Sequence, residues 1–429
     1  MTQKKVIIVG GGFAGIACAR ELLKTKGIHV TLIDKNNYNQ FTPLLYQVAT
    51  SALSKETVAT CLRHYFQNFR AIDIKMAHVS SVDLETKTVH TEEGESYQGD
   101  YIVLAAGSSV NFFDTIGASA FSFPLYGLID AERLRSRIIA VFEACDRNPS
   151  LIQEGTLTFA IVGAGPTGVE IAGALADMLA SAFPKEFSDL TLKKASIFLI
   201  DHAPLPLTPF SEASRHYAAS VLKERGVKLR TNLLVKEITD SFVLLSNGEK
   251  IATKTVIWAG GLTPSSIAKN SNLTLGRGGR VDVLKDLSYP GMPFLYVIGD
   301  LANIQGASGT FLPQLAAVAK QCGRFAGKNI ALHAKQKKTE SFVYKDKGIM
   351  AMLGRGAAIV EVGTQRRELK GLFAYLTWLA VHASLLETFF QKMQAFLDWA
   401  FNYFGRTPSL QILDRTDADL KPPSNKELP

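Results

Sequence analysis

Cysteine is scarce in this 429-residue chain, and Cys18, Cys61, Cys145 and Cys322 stand far apart. Without a CxxC or CxxxxC pair there is no redox-active disulfide of the close-paired kind and no cysteine set with metal-ligand spacing. Scattered single thiols suit a reducing compartment. The chain also lacks an uninterrupted apolar run of the ~20 residues that a spanning helix needs. Its most apolar late stretch, Leu372 to Leu386, is shorter and is interrupted by His382. Met1 to Lys5 passes straight into a strand pattern, leaving no room for a signal peptide. Lys and Arg exceed Asp and Glu by 47 to 39, a formal charge of +8, but no basic run is dense enough for nucleic acid. That surplus fits anionic cofactors or an anionic membrane surface. The mean hydropathy of +0.09 is high for a fully soluble enzyme. The length gives room for two or three domains, each with its own core.

What is present starts with Val6-Ile7-Ile8-Val9, four β-branched residues that read as a strand buried on both faces. Gly10, Gly12 and Gly15 follow in a GxGxxG pattern. The first glycine permits a tight turn, the second lets backbone approach a pyrophosphate, and the third lets helix pack close to strand. Ile16 to Lys24 is helical in composition, so amide groups would face the phosphates. The strand His29 to Ile33 ends in Asp34, a carboxylate placed to accept hydrogen bonds from a ribose.

The same grammar occurs a second time. Thr158 to Val162 runs into Gly163, Gly165 and Gly168, then a helix from Val169 to Leu179. After a loop expected over Pro184 to Lys194, the strand Ile197 to Ile200 ends in Asp201. Two such folds in one chain imply two nucleotides, the arrangement of a flavoprotein that takes hydride from a nicotinamide. Asp100 to Gly107 and Thr255 to Gly261 are matching buried strands, whose terminal Ala106-Gly107 and Gly260-Gly261 allow close approach to a cofactor. Pro293 to Asp300 is a further strand ending in Gly-Asp.

Between these landmarks the pattern predicts a helix through Ser51 to Phe69. It also predicts short antiparallel strands over Met76 to Leu84, Thr88 to Thr91 and Ser96 to Gln98, and a hairpin turning at Ser246-Asn247-Gly248. A loop and helix occupy Ser119 to Arg147, and another helix opens at Leu312 with Pro313 near its start. Val343 to Gly348 and Ala351 to Val362 read as strands of a small sheet. From Phe389 the spacing is amphipathic: Phe389, Met393, Phe396, Leu397, Ala400 and Phe404 share one face, and Gln391, Lys392, Asp398 and Asn402 the other. Trp378, Trp399 and Tyr403 are interfacial residue types. On residues alone this face is a monotopic membrane anchor, or a hairpin buried in a core or dimer interface. The polar tail beyond Arg406 is expected to be disordered at its end.

Phe41 to Thr50 resembles the FQPLLYQVAT signature of type II NADH dehydrogenases, the single-subunit NADH:quinone oxidoreductases, with Thr42 where that family usually has Gln. Gly348 to Arg355 resembles the same family's G-x-M-A-x-x-G-R stretch. The resemblance spans residues 4 to about 412 and keeps the order of the separated motifs. It implies two Rossmann-like α/β dinucleotide-binding domains of the glutathione-reductase type plus a C-terminal α+β region with amphipathic helices. The boundaries expected are 1–114 and 266–330 for FAD, 115–265 for NADH, 331–412 for membrane association, and 413–429 for the tail. Carried over position by position, FAD contacts fall on Gly10, Gly12, Phe13, Ala14, Gly15, Asp34, Lys35, Asn36, Thr42, Val79, Ala106, Gly107, Asp300 and Ala316. Asp300 would bond the ribityl chain, and the helix N-terminus at Ala316 would lie under the flavin pyrimidine. NADH contacts fall on Gly163, Gly165, Gly168, Asp201, Gly260 and Gly261.

For the quinone, the register that keeps Gln321 and Gly323 in step puts Ala317 at the family's first pocket glutamine, with Gln314 or Gln321 as substitutes. Glu170, two residues after Gly168, reads on its own as an acid complementing a helix N-terminus. By resemblance it tunes substrate binding or relays protons to quinone, and it is the catalytic candidate. No metal site is expected. The activity implied is hydride transfer from NADH to FAD, then two electrons to a membrane quinone, without proton pumping. The protein would be peripheral on the cytoplasmic side of the cell membrane, touching the lipid surface and forming a homodimer. A sister flavoprotein reductase with a non-quinone acceptor, or a flavin redox sensor, are the alternatives.

Overall fold

The computed structural model describes residues 3–181, 187, 194–306, 309–363, 365–405 and 413, with the side chains of 181 and 403–405 left aside. The loop expected over Pro184 to Lys194 and the tail beyond Arg406 therefore lie almost wholly outside the described residues, as do the side chains of Tyr403 and Phe404. Two units are distinct. One comprises Met1–Gln40, Thr60–Ser109 and Leu262–Lys345, the other Phe41–Ala59, Val110–Gly261 and Asp346–Pro429.

In the first unit the β-branched run becomes the strand Lys4–Val9, buried from Val6 onward. It sits inside a sheet ordered Ser288–Tyr289, Met292–Val297, Tyr101–Leu104, Lys4–Val9, Ile28–Asp34, Ile72–Met76. All neighbours run parallel except the edge strand Ser288–Tyr289. Parallel pairing needs crossovers, and burial of the strands on both faces explains their unbroken apolar sequence. One crossover is the helix Phe13–Leu22, which lies against Ala316–Ala334. The approach is close because Gly323 has no side chain: a Cβ there would sit 2.1 Å from the Ala14 carbonyl oxygen. An antiparallel insert of Val79–Asp83, Thr88–Thr91 and Ser96–Gln98 matches the pattern read from sequence.

The second unit repeats the plan. Its five-stranded parallel sheet is ordered Ser122–Pro124, Thr255–Trp258, Thr158–Val162, Ser196–Ile200, Val227–Arg230. The helix Leu128–Arg147 and the hairpin Phe242–Leu245/Lys250–Ala252, turning through Gly248 at φ +88°, also match expectation. From Asp346 the chain belongs to this unit. Ile349–Gly354, Ala357–Val362 and Arg367–Lys370 form an antiparallel sheet against the helix Pro166–Ser181, and two helices follow, Gly371–Leu385 and Phe389–Gly405.

Three expectations are corrected, and one of them is the helix expected to open at Leu312, which starts at Ala316 after an extended Leu315. The single helix through Ser51 to Phe69 is two one-turn helices, Lys55–Val58 and Leu62–Tyr65, split by the strand Ala59–Cys61. Thr57, Val58 and Thr60 are β-branched, which lowers helix propensity and favours extended chain. Val343 to Gly348 is irregular chain rather than strand, and the sheet begins at Ile349. Gly348 supplies the positive φ of +103° where the strand starts; a Cβ there would meet the Glu361 carbonyl oxygen at 2.0 Å.

Candidate functional site

The two glycine turns are built alike. Gly10 leaves its strand at φ +105°, and a Cβ on it would sit 2.3 Å from the Ala105 carbonyl oxygen. Gly163 does so at φ +99°, with a Cβ 2.5 Å from that of Ala259. Added Cβ atoms on Gly15 and Gly168 would each lie 1.8 Å from the carbonyl oxygen of the first glycine of their own turn. The middle glycines differ from these four. A Cβ on Gly12 or Gly165 would meet nothing within 4 Å. Packing against a Cβ therefore does not call for glycine at these two positions, whereas the close approach of a ligand's phosphates would. The residues present therefore fit a dinucleotide at each turn.

The acids at the strand ends are oriented by backbone. The Gly11 amide donates to Asp34 Oδ2 at 2.6 Å and the Asn36 amide to Oδ1 at 2.7 Å. Asp201 copies this, with the Ala164 amide on Oδ2 at 2.6 Å and the Ala203 amide on Oδ1 at 2.7 Å. Each carboxylate thus clamps its own turn while keeping lone pairs for a ribose. Burial pushes the Asp34 pKa up, against the pull of those two amides.

The remaining first-unit candidates gather around the same strand ends. Phe13 and Ala14 open the helix after the turn, Lys35 and Asn36 follow Asp34, and Val79 begins the antiparallel insert. Ala106 packs beside Gly10, and the carbonyl of Gly107 accepts from the Ser265 amide. Asp300 lies in a turn after the strand Met292–Val297 and accepts from the Ser108 hydroxyl at 3.1 Å. Burial raises its pKa, opposed by Ser108 and the charge of Arg280. Gln314 donates to the Asp300 carbonyl oxygen at 3.2 Å. Ala316 starts a helix that no side chain caps, and Ala317 is exposed in its first turn. Gln321 spends both ends of its amide on the Lys345 backbone, at 3.0 Å each. Thr42 is exposed and belongs to the second unit. In that unit Gly260 faces the Trp258 ring and Gly261 the Phe113 ring.

Glu170 is not at a helix end. The helix starts at Pro166, and the Glu170 carboxyl turns away from its axis to take the Met352 amide at 3.2 Å. Gly173, one turn on, makes this possible: a Cβ there would lie 2.5 Å from the Leu353 carbonyl carbon and oxygen, so only glycine lets helix and strand touch. Glu170 is 8% exposed, and burial pushes its pKa up to about 8, although the Met352 amide and the nearby Trp378 indole pull it back. Burial therefore favours its protonated form. Trp378 is fully buried, stacked on His382 with ring centroids 3.7 Å apart. Its Nε1 makes no well-aligned hydrogen bond among the described residues.

The sequence matches the family described as Pyridine nucleotide-disulphide oxidoreductase over residues 4–323. It is 31% identical to the type II NADH:quinone oxidoreductase Ndh of Mycobacterium tuberculosis, covering 96% of this chain and 91% of that one. With the type II NADH:quinone oxidoreductase of Staphylococcus aureus it shares 30% identity over 82% and 88% of the two chains. This chain belongs to the type II NADH:quinone oxidoreductases. Its fold matches that of NDH2 from Plasmodium falciparum in complex with NADH, with TM-score 0.87 and 22% identity over 95% and 99% of the chains. The sulfide:quinone oxidoreductase of Aquifex aeolicus shares it too, at TM-score 0.73 and 18% identity over 94% and 96%. Fold alone therefore does not select the substrate.

In this type II NADH:quinone oxidoreductase, several residues around the site carried no sequence signal. Asn39 is buried and donates to the Gly11 carbonyl oxygen at 2.9 Å, and in the second unit the Leu207 amide does the same for Ala164 at 2.8 Å. Arg280 sets a positive charge near Asp300 from a distant part of the chain. Only Ser108 was findable, because it directly follows Gly107 at the end of a strand read as lining a cofactor.

Proposed function

We propose that the protein is an FAD-dependent NADH:quinone oxidoreductase working at a membrane surface. The observation that carries this is the pair of matched glycine turns, each with a middle glycine that the fold itself does not require. FAD at the first turn would supply the ring that accepts hydride and passes two electrons to quinone. Gly10 and Gly15 shape the first turn so that Gly12 meets the pyrophosphate, Asp34 holds the adenosine ribose, and Asp300 the ribityl chain. Gly163, Gly165, Gly168 and Asp201 hold NADH in the same way. Asp201 favours NADH because its carboxylate accepts from ribose hydroxyls and repels a 2′-phosphate. Reduction of a quinone to a quinol consumes two protons, and Glu170, whose protonated form burial favours, holds one at its carboxyl.

The membrane reading is supported by the last helices. Phe373, Leu376, Phe389, Phe390, Phe396 and Phe401 are all exposed, up to 80% for Phe389. Gln391, Asp398 and Asn402 of Phe389–Gly405 face inward instead. Gln391 donates to the Ala59 carbonyl oxygen at 3.1 Å, Asn402 to that of Ala52 at 2.7 Å, and Asp398 accepts from Thr57 at 3.4 Å. A helix that docks by its polar side and presents its phenylalanines outward fits a lipid interface. The charge of +8 adds attraction to an anionic cytoplasmic leaflet. No helix among the described residues is long and apolar enough to cross a membrane. Turnover by the purified yellow protein with NADH and a panel of quinones, with vesicles added and withheld, tests the reading. Activity with no quinone would refute it.

A further inference from the structure

In the second unit, the loop before Ala118 carries an aromatic residue that folding alone does not account for. Phe113 is 60% exposed, so its ring gains little from burial. Its backbone stands at φ +48°, a left-handed region that a bulky side chain enters at a cost. The loop is tied to the end of the strand Thr255–Trp258. The Asn111 amide donates to the Gly261 carbonyl oxygen at 3.0 Å, and the Trp258 indole Nε1 donates to the Asn111 carbonyl oxygen at 2.8 Å. Asn111 Oδ1 in turn accepts from the Phe113 amide at 2.8 Å. Phe112 packs on Trp258, with ring centroids 5.4 Å apart. The Phe113 ring lies on Gly261 instead, where an added Cβ would sit 2.5 Å from its Cζ.

Sheet order says which end of a nucleotide this ring meets. The strand Thr158–Val162, which feeds the second glycine turn, has Ser196–Ile200 on one side and Thr255–Trp258 on the other. Asp201 follows the first of these neighbours and takes the adenosine ribose in the proposed function. With the pyrophosphate at the turn, the other half of a dinucleotide extends toward the second neighbour. That strand runs into Gly260 and Gly261, and a Cβ on Gly163 would lie 2.7 Å from the Gly260 Cα, so turn and strand end are in contact. The Phe113 ring stands one residue beyond that contact. We propose that Phe113 forms the wall of the nicotinamide end of the second nucleotide site and holds the nicotinamide half of NADH through an aromatic contact. A flat ring suits this, because it offers a large apolar face to another ring. The burial that Phe113 does not find within its own loop is supplied by the ligand. The inference rests on the reading of the second turn as the NADH site, and extends that site to a loop that no glycine motif marks.

The test compares a ligand that carries nicotinamide with one that does not. Calorimetry on the purified holoprotein measures the dissociation constants of NAD+ and of ADP, which spans only the Asp201 side and the turn. Phe113→Gly removes the ring and suits the positive φ. Phe113→Asn also removes the ring but keeps a residue that tolerates this backbone, so it separates loss of the ring from loosening of the loop. Each should weaken NAD+ by about fivefold, the size of one aromatic contact, and leave ADP unmoved. The KM for NADH should rise by the same factor. Phe113→Tyr keeps the ring and should bind NAD+ as the unmodified protein does. Flavin content and melting temperature report whether each variant is folded. A folded Phe113→Gly protein with unmoved NAD+ binding would overturn the inference, as would an equal weakening of ADP, the mark of a purely structural part. If the unmodified protein bound neither nucleotide, the reading of the second turn would fail and this inference with it. If it bound both and losing the ring changed nothing, only the inference would fail.

Discussion

At the scale of single residues, the account turns on where two kinds of carboxylate spend their charge. Glu170 binds its proton up to about pH 8 in the folded protein but only to about its ordinary 4.5 in the unfolded chain. The folded state therefore holds the extra proton between those values, and stability falls as pH rises through that window. The loss is roughly 1.4 kcal/mol for each pH unit crossed. Glu170→Gln should flatten this part of the stability profile, seen as a melting temperature that declines less from mildly acidic to alkaline pH. An unchanged decline would show that Glu170 ionises freely. Under the proposed function Asp201 sets nucleotide choice. The unmodified enzyme should prefer NADH to NADPH at least tenfold in kcat/KM, about 1.4 kcal/mol, and Asp201→Ala should narrow that ratio. Because Asp201 also clamps the Ala164 and Ala203 amides, kcat/KM for both nucleotides should fall, so the ratio rather than either value is the measure. Sequence showed which acids matter through their distance from the glycines. It could not show that both oxygens of Asp34 and Asp201 are held by their own turns, or that Glu170 leaves its helix for Met352. Those facts depend on which strand packs where.

At the scale of elements, the GxGxxG turns separate glycines the fold needs from glycines a ligand needs. Gly12 sits at φ −80°, ψ −167°, which any residue adopts, with open space at its Cβ. Gly12→Ala should fold as well as the unmodified chain yet lose its flavin, read as the flavin-to-protein absorbance ratio. Gly165→Ala should keep its flavin and raise the KM for NADH. Flavin retained in full by Gly12→Ala would remove the first turn as the flavin site. The turns and sheets were legible because buried parallel strands must be apolar throughout and glycine leaves a clear mark. Ser51 to Phe69 was misread because its apolar spacing fits a helix while Thr57, Val58 and Thr60 favour extended chain. For the last helix, spacing revealed two faces but not which one docks. The structure buries Gln391 against Ala59 and leaves Phe389 exposed, the reverse of a surface helix on a globular core. Replacing Phe389, Phe390, Phe396 and Phe401 together by Ser should abolish sedimentation with anionic vesicles without lowering flavin content or melting temperature. A fall in melting temperature would instead mark that face as packed in solution. Removing everything after Lys370 would be a poorer test, because it also removes the buried Trp378 and Ala374.

At the scale of the whole molecule, two matched glycine turns in one chain fit the proposed route, in which electrons enter from NADH and leave through a bound flavin. The shared fold alone does not distinguish donors, since a sulfide:quinone oxidoreductase has the same architecture. What narrows the chemistry is local. The four cysteines are free, three of them buried, and burial pushes the Cys322 thiol up to about 12, so that thiol is an unreactive packing group. A disulfide relay would need a low-pKa pair. The most direct measurement follows the flavin spectrum in the purified protein without oxygen, adding NADH and then a short-chain quinone. The account predicts that NADH bleaches the flavin, that quinone restores its colour, and that one quinol forms per NADH consumed. A flavin that NADH does not bleach, or one that stays bleached with quinone but recovers with a different acceptor, would contradict it.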